Sequence, residues 1–538
     1  MWFQKIWETG TVSSLWKKAI VVPVLKTSKD PTSTTSYRPI SLTSTMGKSM
    51  ERITNSRLNW LLETNNVTAN EQAGFRIHRS TSEHIAKLSQ FIKDAMDNKS
   101  ILTAVFIDFK AAYDSVWKEN LLLKLVRYGI RSNLLQWLES FISHRACKVR
   151  YGEHYSKYHI LQTGLPQGAV TSCTLFNLYI NNLIGELNSI PGIKCLLYAD
   201  DLVFWTEADK RKAEEKTEQI LNKALATLEE WCGRNNMKIN TKKTAFQSFS
   251  LAHKTIHPRL KYKRTALSQS NEFKYLGVTF DNKLNWKNHV DKVTSRVSRR
   301  INVLKRLAGS KWGCAQSTLN LTYQKYILPV ITYSCESLVT AQPHTLQVLE
   351  HVQNQALRLM TCAVKTTPID AMLSTTGNKP IQELIKEKAL LLHEKLLRIP
   401  GDQYWKTHEN KPRNLKTQNG FVQKVTEIKT ELEIKSKPQP LHQRRNPVDI
   451  EQVEYHLYLQ QNRIKGETET LRHLALETVN TRYPQDKWLH IFTDGSQIEG
   501  YINARAGIHC EVFSCYIPLG QHSTAFDGEI EAIRTALC

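Results

Sequence analysis

Acidic residues are in short supply in this chain: 50 Asp and Glu stand against 73 Lys and Arg in 538 residues, a formal balance of +23. An excess of that size suits a polyanionic partner, because each neutralised phosphate releases counterions; a basic surface kept for solubility is the blander reading. Ten cysteines are scattered with no C-x-x-C pair, and no histidines fall at zinc-knuckle spacing. That argues against a structural zinc, and scattered thiols suit a reducing compartment. The first residues, MWFQKIWETG, have no basic flank followed by an apolar core, which excludes a secretory signal of the usual form. Apolar runs such as AIVVPVL (19–25) fall far below the ~20 residues that a membrane span needs, so a soluble, intracellular protein is expected. There is no internal repeat.

What is present is an ordinary globular composition, 41% hydrophobic and 23% charged, with length for about three to five domains. AIVVPVLK (19–26) reads as a strand and SYRPISL (36–42) as a loop entering a helix, with helical periodicity from Lys48 to Leu62. TAVFIDF (103–109) is a buried strand by its β-branched and aromatic content, and KAAYDSVWKENLLLKLVRYG (110–129) an amphipathic helix closed by Gly129. KVRYGEHYSKYHILQTG (148–164) reads as a hairpin, followed by a helix over 171–187. KCLLYADDLVFW (194–205) is two apolar half-strands around an acidic pair, the pattern of a tight β-hairpin. A helix over 209–232, strands around MKIN and TAFQSF, and a hairpin at NEFKYLGVTFD (271–281) come next. Residues 289–309 set six cations against an apolar stripe of Val293, Val297, Ile301, Leu304 and Ala308. Residues 400–447, rich in Lys, Gln, Asn and Pro, read as a linker, and strand periodicity returns at 487–494.

Asp108, Asp200 and Asp201 are the residues on which a chemistry can be built. Two-metal phosphoryl transfer needs carboxylates at the ends of adjacent strands to hold two divalent ions ~3.5–4 Å apart. An Asp-Asp pair within apolar strands is costly unless it projects from a hairpin tip; an acidic surface turn is the competing reading. Asp114, six residues after Asp108 and on the expected helix, should point elsewhere.

In order, SYRPISLTSTMGKSMERI, EQAGFRIHRST, AVFIDFKAAYDSVW, TGLPQGAVTSCTLFNLYIN, LLYADDLVFW, WCGRNNMKINTKKT and KYLGVTFD resemble the reverse transcriptase domain of non-long-terminal-repeat retrotransposons, near the jockey-like group of LINE elements. Thumb-like matches continue to about residue 376.

The resemblance implies an α+β right-hand polymerase: fingers over 1–100 (short at the front), palm with finger insertions over 101–285, a helical thumb and connection over 286–400, and a basic linker and helix over 401–485. It implies an RNA-directed DNA polymerase using an RNA template, a DNA primer, deoxynucleoside triphosphates and two Mg²⁺ ions, with Mn²⁺ as the alternative; a catalytically inactive element remnant that only binds nucleic acid is the other reading. Asp108 and Asp200 match the family's two metal-binding acids and Asp201 the adjacent one. Lys26, Arg38, Tyr113 and Gln167 match nucleotide-binding positions, with Tyr113 beneath the incoming sugar. For Tyr113 a core aromatic is the alternative, and for the lone basic residues a solvated surface. Arg76 is a further triphosphate candidate, and Lys243 lies near the position of a lysine that protonates pyrophosphate. Cys173 stands where the family has Pro, at a place read as remote from the metals. Arg296, Arg299 and Arg300 would track duplex phosphates without reading sequence.

Residues 486–538 resemble part of an RNase H domain, an α/β segment with Asp494 and Glu529 at two of its metal positions and Glu531 facing away. With only those two acids, little or no hybrid cleavage is expected. Nuclear localisation follows from the element's life cycle, not from a signal in the sequence.

Overall fold

A computed structural model describes residues 2–26, 29–252, 255–309, 313–399, 404–408, 413–434, 441, 490–497, 504–520 and 524–536. The chain divides into two units, 1–452 and 453–538. The fold is mixed helix and sheet, as expected. In the first unit the elements run α1 (Trp2–Thr9), β1 (Lys18–Leu25), β2 (Tyr37–Leu42), α2 (Thr45–Thr64), α3 (Thr81–Asp97), β3 (Ile101–Ile107), α4 (Lys118–Arg127), α5 (Ser132–Ile142), β4 (Ala146–Tyr151), β5 (His154–Tyr155), β6 (His159–Ile160) and α6 (Val170–Asn188). They continue with β7 (Lys194–Tyr198), β8 (Asp201–Ala208), α7 (Ala213–Arg234), β9 (Ala245–Phe249), β10 (Lys261–Tyr262), β11 (Thr265–Ala266), β12 (Ser268–Gln269), β13 (Glu272–Tyr275), β14 (Val278–Asp281) and α8 (Lys287–Ala308). Helical segments follow at Gln316–Thr332, Pro343–Thr361, Ile369–Thr376 and Ile381–Leu397.

The central sheet has the order β12-β9-β3-β8-β7, with β3 antiparallel to both β8 and β9. Every residue of β3 is buried, because both faces of the sheet are covered. Side chains alternate between them. Val105, Ile107, Leu202 and Phe204 join α6 and α7 in one core, while Ala104, Phe106, Val203 and Trp205 join α3 and α8 in another. A second sheet, β2-β1-β4-β5 with β6 on β4, is built from residues on either side of β3 in sequence. SYRPISL is therefore strand β2, paired with β1, rather than a loop.

Three further expectations fail in the first unit: MKIN (237–240) is no strand and makes only an isolated bridge, from Ile239 to Phe109. The helix expected from Lys110 begins only at Lys118; residues 110–115 form turns, with Ala111 at φ +48°. The stretch read as a linker carries packed anchors where it is described: Trp405, Phe421, Val422 and Val425 share a core with Ala389 and Leu396. The remainder of 400–447, apart from Leu441, lies outside the described residues. Lys and Gln richness misled because the apolar anchors there are few but large. Among the described residues no helix is long and apolar enough to cross a membrane.

The second unit is a three-stranded antiparallel sheet (Phe492–Gln497, Ala504–His509, Ser514–Gly520) with helix Ala525–Ala536 against it. Ala506, Ile508 and Ala532 form its core.

His84, His289 and His393 are buried. Burial holds His84 well below the usual imidazole range and brings His289 and His393 down to about 4. These bases are neutral in the fold but take up a proton near pH 6.5 when unfolded. Their stabilising contribution is complete above pH 6.5 and is lost as pH falls toward 4, by about 3 kcal/mol for each of His289 and His393. Neither ring nitrogen of His393 has a hydrogen-bond partner. His393→Leu should therefore flatten the pH dependence of the urea midpoint between pH 7 and 5. An unchanged slope would refute the assignment.

Candidate active site

β3 ends at Ile107, which pairs with Leu202 of β8. Asp108 is the residue after that last pair and Asp201 the first residue of β8, and the Asp108 charge acts on the Asp201 carboxyl. Asp200 is the second central residue of the two-residue turn between β7 and β8, closed by the Tyr198–Asp201 pair. Asp108 thus follows the end of β3, while Asp200 and Asp201 lie at the β7–β8 turn, and each acid's charge reaches another's carboxyl.

Their electrostatics reflect that crowding. Burial and the Asp108 charge raise the Asp200 carboxyl, which Arg38 partly offsets. Burial, then Asp200 and Asp108, push Asp201 up to about 6. Lys243 Nζ stands 3.6 Å from Asp108 Oδ2, so that lysine joins the site. Asp108 is further fixed by its backbone: its N–H donates to Thr244 Oγ1 (3.3 Å) and its carbonyl accepts from Asn240 N–H (2.8 Å). Among the described residues no three His, Cys, Asp or Glu side chains stand as a ready metal cage. The donor chemistry nevertheless fits a hard divalent cation: three carboxylates that repel one another at adjoining strand ends.

The TGLPQG loop, 163–168, lies between the 113–116 turn that follows Asp108 and strand β2 of the second sheet. Gly164 (φ +86°) lies so close to the 113–116 turn that a Cβ would stand 2.9 Å from the Asp114 carbonyl oxygen. Leu165 N–H donates to the Tyr113 carbonyl (2.9 Å), and Gln167 Nε2 to Asp114 Oδ1 (3.3 Å). On its other side the Gln167 carbonyl accepts from Ser41 N–H of β2 (2.7 Å). Asp114, expected to point away on a helix, is instead in the turn that holds Gln167. Burial raises its carboxyl, which Gln167 and Lys26 partly offset. Lys26 and Gln167 thus both act on Asp114, while Arg38 and Tyr113 are both within electrostatic reach of Asp200.

The Tyr113 ring stacks on Phe176 (4.6 Å between centroids), and its buried hydroxyl lies beside the Cys173 thiol. Burial, then Cys173 and Asp200, raise that hydroxyl. Cys173 is therefore beside the candidate sugar-facing aromatic, not remote from the site: it is three residues before Phe176, on the same face of α6.

Arg76 is not available to a nucleotide. Its guanidinium forks onto Glu63 (2.8 and 2.7 Å) and caps the Ala69 and Gln72 carbonyls. On α8, Arg296 and Arg299 line a groove of about 610 Å³ with Lys274, Thr279 and Lys292. Arg300 departs from the expected row: it lies over the Tyr326 ring (4.4 Å) and donates to the Tyr326 carbonyl. In the second unit Asp494 is on the first strand. A Cβ on neighbouring Gly495 would stand 2.8 Å from Glu529 Cγ, so the first strand packs closely on the helix that carries Glu529.

Sequence reading missed three residues. Glu51 is 3% exposed and accepts the Val170 and Thr171 N–H groups (2.6 and 3.2 Å), capping the start of α6. Gln72 is fully buried, and its amide bonds both backbone polar groups of Ala199: Oε1 accepts from Ala199 N–H (3.0 Å) and Nε2 donates to the Ala199 carbonyl (3.3 Å). Gly74 lies against the same residue. The available signal was that all three fall inside matched segments, SMERI and EQAGFR, without a chemical role of their own.

Residues 24–280 match the family model described as reverse transcriptase (RNA-dependent DNA polymerase). With the acids placed as above, this region is a reverse transcriptase domain. Its kin are those of non-long-terminal-repeat elements. The chain is 30% identical over 359 residues to the probable RNA-directed DNA polymerase from transposon BS of Drosophila melanogaster, covering 64% of this chain and 38% of that protein. It is 26% identical over 362 residues to the RNA-directed DNA polymerase from mobile element jockey of the same species, covering 66% and 39%. The chain therefore spans well under half the length of these curated relatives. A solved telomerase from Candida tropicalis, in complex with a fragment of telomeric RNA, is similar at 11% identity with a TM-score of 0.40, over 78% of this chain and 61% of that one.

Proposed function

We propose that this chain copies an RNA template into DNA by adding deoxynucleotides to a primer 3′-hydroxyl. The observation that carries the proposal is the meeting of Asp108, Asp200 and Asp201 at adjoining strand ends within the matched region. Asp108 and Asp200, assisted by Asp201, would hold two divalent cations, Mg²⁺ or Mn²⁺. Bound there, the ions supply activation of the hydroxyl and stabilisation of the leaving pyrophosphate. The chain's own groups do the rest. Arg38 and Lys26 bind the triphosphate, Gln167 supports the incoming nucleotide, and the Tyr113 ring lies where a ribose 2′-hydroxyl would collide with it. Lys243 Nζ carries a proton for the departing pyrophosphate. Arg296 and Arg299 bind duplex phosphates without reading sequence.

In this reading the β1–β2–β4 sheet is the fingers, the central sheet the palm, and the helices from Lys287 the thumb. Asp494 and Glu529 are the corresponding pair of an RNase H-like segment. Primer extension on an RNA template tests the proposal. Metal-dependent synthesis with deoxynucleotides, and little with ribonucleotides, is expected. Tight template–primer binding without any extension would replace the proposal with a nucleic-acid-binding remnant.

A further inference from the structure

The turn carrying Asp200 is held by a contact that its own hairpin does not supply. Ala199 is the first central residue of that turn and has φ +56°. A two-residue hairpin turn needs positive φ there, and glycine is the residue that adopts it without a Cβ penalty. Alanine sits there instead, buried.

The segment 71–74 compensates. Leu197 N–H donates to the Glu71 carbonyl (2.9 Å) and Ala73 N–H to the Leu197 carbonyl (3.0 Å), which sets the segment beside β7. Gln72 then grips both polar groups of Ala199, and its Oε1 also accepts from Gly74 N–H (2.9 Å). Gly74 is needed for the approach, because a Cβ there would stand 2.4 Å from Ala199 N. The Gly74 carbonyl in turn accepts from Asn177 Nδ2 of α6 (2.6 Å), the helix that follows the TGLPQG loop. A continuous set of hydrogen bonds runs from α6 through Gly74 and Gln72 to the residue before Asp200.

We infer that Gln72 is a positioning residue: it keeps Ala199 in its left-handed conformation and so aims the Asp200 carboxylate at Asp108. The inference rests on the polymerase reading for its kinetic test, and a second measurement separates the two. In the full chain, Gln72→Leu should lower kcat for primer extension about 100-fold, with the deoxynucleotide KM and template–primer affinity within about threefold of the parent. Ala199→Gly provides the discriminating background, since glycine takes the turn conformation unaided. There the Gln72→Leu loss should shrink to about fivefold or less, because the strain it relieves is gone. Should Gln72→Leu fail to fold, Gln72→Asn keeps an uncharged amide but draws it back by one methylene from both Ala199 groups, and the same comparison applies.

Mn²⁺ affinity, read by electron paramagnetic resonance without substrate, should follow the same pattern across the four proteins. Equal losses in both backgrounds, or no loss at all, would overturn the positioning role and make Gln72 a packing residue. A parent that extends no primer, yet shows the Mn²⁺ pattern, would overturn the polymerase reading and leave the positioning role standing.

Discussion

Asp200→Asn is expected to reduce primer extension at least about 1,000-fold, because it removes a charged oxygen ligand worth several kcal/mol of transition-state stabilisation. The prediction is sharper than loss of activity alone, because the same substitution should not weaken the fold. Asp200 is raised by burial and by the Asp108 charge, so above that raised value the ionised form costs the folded state free energy in the absence of cations. The sign follows from linkage: a carboxyl whose folded pKa is raised destabilises the fold at neutral and higher pH. Asparagine keeps the shape and removes the charge. The thermal midpoint of Asp200→Asn in chelator, at pH 8, should therefore equal or exceed that of the parent. Asp108→Asn should behave similarly in extension, although it also loses the Lys243 contact at 3.6 Å. An inactive protein with a collapsed midpoint would mean that misfolding, not loss of a ligand, explains the result. Extension near the parental rate would remove Asp200 from the site.

The acids were legible because their context is restrictive. Two charged residues between apolar half-strands have few places to go, and a hairpin tip beside a strand end is one of them. TAVFIDF read correctly as a buried strand because its side chains leave no polar face. The apolar stripe of α8 was equally plain: Val293, Val297, Ile301 and Leu304 are buried as their spacing requires.

What escaped was set by long-range packing. Tyr113 and Asp114 lie in an amphipathic-looking run, and nothing local stops a helix there. The turn over 110–115 is imposed by Lys110 N–H, which donates to the Lys238 carbonyl (2.7 Å), and by the TGLPQG loop packed on Asp114. Arg76 looked like a nucleotide ligand because its partner, Glu63, is thirteen residues away in sequence. Cys173 looked remote only because helix geometry was not carried from the loop to the Tyr113 ring. Gln72 had no local signal at all: a buried amide is defined by the peptide it grips, 127 positions later in the chain.

The same blindness to distant partners hid the role of residues 404–434, and there the expected energetic effect is large. Arg413, with a side chain 6% exposed, donates through Nη2 to Asp94 Oδ1 at 2.6 Å, and its Nη1 lies 3.9 Å from Asp97 Oδ2. Both aspartates belong to α3 and are nearly inaccessible, at 7% and 2%. Asp94 also meets His408 Nε2 (3.2 Å) and Gln90 (2.8 Å), while Asp97 accepts the Asn414 and Leu415 N–H groups. The late segment is thereby fastened to the helix that backs the central sheet. Arg413→Met keeps the length of the side chain but leaves two buried carboxylates without their main cation, which costs about 3–5 kcal/mol. Lys424→Ala, which breaks the exposed Lys424–Glu427 pair, should cost about 0–1 kcal/mol. Adding Asp94→Asn to Arg413→Met should recover part of the larger loss, since it removes one of the stranded charges. Urea midpoints of the full-length variants measure all three. If Arg413→Met unfolded at the same urea concentration as Lys424→Ala, the fastening would be a surface contact, and residues 404–434 would be the linker that their composition suggests.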